Sequence, residues 1–98
     1  MAPLSHRESP LAFGRALRRR RTHAALSQEQ LGLRAGVDRV YISELERGIK
    51  CPTLGTIARL ARALEMRPSH LVRVAESLAD VGQARRDGEA GPWGRMKR

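Results

Sequence analysis

Between Ser27 and Thr53 the chain reads SQEQLGLRAGVDRVYISELERGIKCPT, and no other stretch constrains the fold as tightly. Ser27 is a helix-capping residue. Gln30, three positions on, completes a capping box, in which each residue satisfies an unpaired backbone N–H of the other. Leu31 and Ala35, four apart, share one helix face with small Gly32 beside them. Gly36 follows, where a left-handed backbone ends the helix and a Cβ would clash. Asp38 then caps a second helix that runs to about Arg47. Its inner face holds Ile42 and Leu45, and Gly48 stops it. Two short helices joined by a tight turn leave few arrangements open.

The outer face of the second helix carries the chemistry. At about 100° per residue, Arg39, Val40, Ser43, Glu44 and Arg47 fall in one arc, and Ile42 and Leu45 point away. Tyr41 lies at the margin of the core. An α-helix fits the DNA major groove, where each base pair shows a distinct donor and acceptor pattern. Arg39, in the first turn, suits guanine O6 and N7. Val40 suits a thymine methyl, Glu44 suits cytosine N4, and Ser43 is permissive. Gln28 opens the first helix, where backbone N–H groups point outward and hold phosphate. Tyr41, Arg47 and Lys50 are assigned to phosphates as well. The competing reading of these positions is a solvated helix face. Glu46 lies near the inner face, and a half-buried carboxylate needs a partner. Arg21, from the run Arg18 to Arg21, is the choice, as a structural salt bridge.

Composition agrees with a polyanionic partner. The formal net charge is +9, and such a surplus favours nucleic acid, although basic residues also keep a small protein soluble. The length of 98 residues suits one small domain with tails. Cys51 is the sole cysteine, which excludes a disulfide framework and a cysteine metal cluster and reads as a free thiol. The three histidines, at 6, 23 and 70, lack metal-ligand spacing. Neither metal nor cofactor is expected. No apolar run approaches the ~20 residues of a membrane span, and the N-terminus has no apolar signal-peptide core. A cytoplasmic location without membrane contact is expected. No nucleophile with its base, carboxylate pair or phosphate-cradling glycine loop is present, so the chain does not read as an enzyme.

The remaining residues arrange themselves around the two short helices. Residues 1–8 read as a flexible N-terminal arm. Ser9-Pro10 signals a helix start, and that helix runs to about Ala24 with Phe13, Leu17 and Ala24 inward. Thr53 caps a fourth helix whose apolar residues are Leu54, Ile57, Leu60, Ala61 and Leu64, near the helical period. Met66 plugs the core behind it. Pro68 opens a fifth helix. Its stripe Leu71, Val74, Leu78 and Val81 follows a seven-residue repeat, as a helix–helix seam does, and is assigned to a dimer interface. From Gly82 the chain turns polar, and 82–98 reads as a flexible basic tail in which Trp93 is the one plausible anchor. The expected fold is all-α, a compact five-helix bundle over 9–81.

Three segments carry a family resemblance. SQEQLGLRAGV, YISELERG and PTLGTIARLARAL together resemble the Cro/phage-repressor, XRE-like helix-turn-helix family over about Phe13 to Leu71. The resemblance implies a lambda-repressor-like domain that acts as a homodimer on a palindromic operator, with the recognition helix 38–47 in the major groove. It implies base-reading roles for Arg39, Val40, Ser43 and Glu44, a phosphate-binding and helix-bracing role for Gln28, and a salt bridge between Arg21 and Glu46. Two positions depart from the pattern. Gly32 replaces the usual Ala, which is expected to loosen the first short helix, and Arg39 and Val40 replace the glutamines of some phage repressors. DRVYIS and the small size are also similar to controller proteins of restriction–modification systems. The expectation is a sequence-specific transcriptional regulator binding double-stranded DNA, with no small-molecule effector, because no sensing domain fits in this length. The alternative is a protein-interaction module of the same fold, antitoxin-like or coactivator-like, in which partner contacts dominate.

Overall fold

The computed structural model describes residues 8–86, and side chains over 9–79. Five helices follow one another: α1 (Glu8–His23), α2 (Gln28–Ala35), α3 (Arg39–Glu46), α4 (Leu54–Ala63) and α5 (Pro68–Arg86). No strand occurs among the described residues. Residues 1–7 of the arm and 87–98 of the tail, Trp93 included, lie outside them.

One core unites all five helices. Phe13, Ala16 and Leu17 from α1 meet Leu31 from α2, Ile42 and Leu45 from α3, Leu60 and Ala61 from α4, and Leu71 and Ala75 from α5. The six largest fully buried side chains are all Leu or Ile. With so few aromatic residues, branched aliphatics fill the volume. α1 packs most extensively on α5 and next on α3, so the first and last described helices hold the domain together.

The helix ends explain the lengths. Ser27 accepts from the Gln30 N–H at 3.0 Å, and the Gln30 side chain accepts from the Ser27 N–H at 2.8 Å. Thr53 caps α4 through the Thr56 N–H at 3.1 Å. Gly36 ends α2 at φ 71°. Gly48, at φ 77°, ends α3 in a Schellman arrangement, with the Gly48 N–H on the Leu45 carbonyl and the Ile49 N–H on the Glu44 carbonyl. α1 and α4 close by the same bonds with Ala25 (φ 60°) and Glu65 (φ 58°) in the left-handed position.

Several expectations are corrected. α1 begins at Glu8, so Ser9 and Pro10 lie inside its first turn. Proline is tolerated there because first-turn N–H groups have no intrahelical partner. Ala24 is exposed, because it lies beyond the last turn of α1 in the αL exit. Leu54 is 84% exposed. It occupies the first position of α4, ahead of the turn that meets the core. α5 continues to Arg86, five residues past the boundary read at Val81, and its backbone passes through Gly82. Leu71 is fully buried in the monomer and is withdrawn from the interface assignment, because α5 needs it to close the core. Val74 and Leu78 are half-buried against that core. The side chain of Val81 lies outside the described residues.

The two leucines of α4 give a test. Leu60→Ala should cost about 2–5 kcal/mol, the range for emptying a fully buried site. Leu54→Ala should change stability by less than about 0.5 kcal/mol. Urea unfolding followed by circular dichroism measures both. A large loss in Leu54→Ala would mean that this leucine packs.

Candidate nucleic-acid interface

α2 and α3 meet at the Gly36 turn. The Gly32 carbonyl accepts from both the Gly36 and the Val37 N–H, the latter at 2.9 Å. A Cβ on Gly32 would stand 2.5 Å from the Val37 carbonyl oxygen. Glycine here lets the chain fold back closely enough to start α3. Asp38 then caps α3, its carboxylate accepting from the Val40 N–H at 3.1 Å.

α3 divides sharply. Ile42 and Leu45 are fully buried, and Tyr41 is half-buried against the core. Arg39, Val40 and Arg47 are exposed, with Ser43 and Glu44 half-buried between them. The Arg47 Nε lies 3.4 Å from the Ser43 carbonyl oxygen, a long bond that leaves most of the guanidinium free. Lys50 is exposed in the loop 49–52. The residues assigned to base reading therefore share one surface. Arg47 and Lys50 flank its C-terminal end, and Tyr41 is half-buried against the core.

Glu46 is held from two sides. Its side chain is 4% exposed, and Arg21 donates to it twice, Nε to Oε2 at 2.6 Å and a terminal nitrogen to Oε1 at 3.0 Å. The Gln28 amide nitrogen donates to Oε1 at 3.0 Å. Arg21 also donates to the Leu26 carbonyl at 2.8 Å, which ties down the chain entering α2. The hydrogen bonds to Glu46 raise the Arg21 pKa. Burial opposes that rise, and the negative charge of Glu46 adds to it. Arg21 stays charged wherever the protein is folded. One carboxylate thus joins α1, α2 and α3. The Gln28 amide nitrogen is engaged inside the protein, so any phosphate contact by this residue must share that amide or use its other atoms. The bond to Leu26 had no signal in the sequence, because its acceptor is backbone.

A helix-turn-helix family model matches residues 17–71, more than half of the chain. The chain belongs to this family, the XRE-like regulators. Control protein C.BamHI of Bacillus amyloliquefaciens is 35% identical over 63 residues, covering 63% of this chain and 78% of that protein. The solved restriction–modification controller protein C.AhdI from Aeromonas hydrophila superposes with a TM-score of 0.62 at 42% identity, over 63% of this chain and 94% of that one. The clp gene regulator ClgR from Corynebacterium glutamicum gives a TM-score of 0.77 at 27% identity, over 87% and 88% of the two chains. The chain spans 38% of the length of several longer curated relatives. Its helix-turn-helix domain is that of a DNA-binding transcriptional regulator. No described helix is long and apolar enough to cross a membrane.

Removing one member of a buried pair strands the other charge, at a cost of about 3–5 kcal/mol. Glu46→Ala should approach that loss, and Glu44→Ala should lose far less. Arg21→Lys should recover little, because an ammonium cannot reproduce the two-point fork. Urea denaturation of the three variants decides the matter. Equal midpoints for Glu46→Ala and Glu44→Ala would remove Glu46 from the framework.

Proposed function

We propose that this regulator reads a specific operator by placing α3 in the major groove, with Arg39, Val40, Ser43 and Glu44 on base edges. Gln28, Tyr41, Arg47 and Lys50 hold the flanking phosphates. The observation that carries this reading is the division of α3. One face is wholly committed to the core and to the Glu46 bonds, and the opposite face, led by exposed Arg39 in the first turn, carries exposed Val40 and Arg47 with Ser43 and Glu44 half-buried between them. Such a helix is rigidly oriented from behind and chemically free in front. An antitoxin-like or coactivator-like module would favour an apolar or acidic outer face, and Arg39 and Arg47 supply neither.

Base and phosphate roles separate experimentally. Arg39→Ala should cost about 1–3 kcal/mol on the best operator and relax preference at one base pair. Lys50→Ala should weaken all sequences alike and reduce the steepness of log K against log salt by ~0.9, the share of one phosphate contact. Selection from randomised DNA followed by salt titration supplies both readouts. An unchanged preference in Arg39→Ala would take that residue off the reading face.

A single recognition helix reads only a few base pairs, too little to find one operator in a genome. We therefore also propose a symmetric homodimer on a palindrome, with half-site centres about 34–36 Å apart, one turn of DNA. Val74, Leu78 and Val81 on α5 are the proposed seam. Support comes from the partial exposure of Val74 and Leu78. Leu78→Glu should give a folded monomer by light scattering, with much weaker binding to the full palindrome. A variant that remains dimeric places the seam elsewhere. The likeness to two controller proteins supports a restriction–modification controller as the sub-function, and a restriction endonuclease gene beside this one would test it.

A further inference from the structure

The recognition helix is seated against α1 by backbone. A Cβ on Gly14 would fall inside van der Waals contact of the Leu45 carbonyl oxygen and 2.7 Å from that of Glu46. Gly14 is buried, so these atoms have no open space into which to retreat. Beside this contact, Leu11 of α1 lies over Gly48, where an added Cβ would meet the Leu11 side chain at 2.5 Å. About two turns further along α1, Arg21 grips the carboxylate of the same Glu46. One contact fixes the separation of two helices, and two contacts spaced along one of them also fix their relative tilt.

We infer that Gly14 is a positioning residue for DNA reading, because its lack of a side chain sets the tilt at which α3 meets the groove. This rests on α3 being the reading helix. The N-terminal end of α3 is pinned by the tight turn, where Gly32 lies against the Val37 carbonyl and Asp38 caps. A side chain at 14 therefore acts as a wedge at the C-terminal end. α3 is eight residues long, about 12 Å at 1.5 Å per residue. Binding groups need placement to within about 0.5 Å, and parting the two backbones by several tenths of an ångström uses up that tolerance. Glu44 and Arg47, far from the pivot, move most, and Arg39, close to it, moves least. An alanine at 14 should therefore blur the base pairs read by the C-terminal half of α3 and spare the one read by Arg39.

The test compares Gly14→Ala with Gly55→Ala, a control whose Cβ would meet only the Thr53 hydroxyl, at 3.8 Å. Affinity for the selected operator and for random-sequence DNA is measured at a temperature where circular dichroism shows each variant fully folded. Gly14→Ala should lower the operator-to-random ratio about tenfold, the value of 1.4 kcal/mol. Its random-DNA affinity should fall far less than its operator affinity, since only the Arg47 phosphate contact is displaced, and selection should retain the base pair lost in Arg39→Ala. Gly55→Ala should leave the ratio intact. If Gly14→Ala does not fold, Leu11→Ala carries the test. Leu11 is 43% exposed, so its loss loosens the seat without emptying the core, and the ratio should fall severalfold. A preserved ratio in a folded Gly14→Ala, or in Leu11→Ala where the first variant is unfolded, overturns the inference. A wild-type ratio near one overturns the base-reading proposal itself, and this one with it.

Discussion

The buried carboxylate of Glu46 is the constraint on which the domain turns. A charge with 4% of its side chain exposed cannot be left without partners, because stranding it costs several kcal/mol. Its partners come from two other helices, Arg21 on α1 and Gln28 on α2. Any docking of α3 that slips by a residue or rotates away from them exposes the domain to that penalty. Leucine packing alone is more forgiving, since aliphatic cores accept volume-conserving rearrangements at small cost. The apolar core brings the helices together, and the Glu46 bonds select among the ways in which they could meet.

That selection matters because α2 and α3 are each eight residues long, well below the ~12–15 residues at which isolated helices begin to persist in water. Neither exists without the bundle. Their ends are therefore fully specified. The capping box opens α2, Asp38 opens α3, and Gly36 and Gly48 supply left-handed exits. Where α1 and α4 end, Ala25 and Glu65 take the same left-handed conformation, at a cost of roughly 1 kcal/mol each. Among the four left-handed helix exits of the described residues, the two taken by glycine thus belong to α2 and α3.

Most of this was legible where local chemistry decides structure. The five helices, the caps at Ser27, Asp38 and Thr53, and the inward positions of Leu31, Ile42 and Leu45 follow from propensity and period. Departures arise where a neighbouring element decides. Leu54 matches the helical period of α4, but period cannot tell whether a first-turn residue has anything to pack on. Leu71 belongs to a seven-residue stripe, yet the same spacing serves a seam between molecules and the inner face of one, and burial alone separates them. Gly32 and Gly14 carry no sequence sign of what lies against them, because the atoms involved are backbone carbonyls, of the Val37 turn for Gly32 and of α3 for Gly14. Net charge was the bluntest indicator. Exposed arginines such as Arg15, Arg34, Arg39, Arg59 and Arg73 occur on all five helices, so the surplus marks attraction to polyanions in general and does not outline the site.

Specificity must then come from the few side chains whose geometry is fixed from behind. On α3, Ile42, Leu45 and Glu46 hold the helix in place, and Arg39, Val40, Ser43 and Glu44 do little structural work beyond filling the surface. On the proposed reading, substitution in the second set changes what is read without moving the helix, and substitution in the first set moves the helix without changing its chemistry. The small-residue contacts at Gly14 and Gly32 belong with the first set although neither lies on α3. A change of operator within this architecture should therefore arise at the exposed positions of α3, on a framework whose internal bonds are kept.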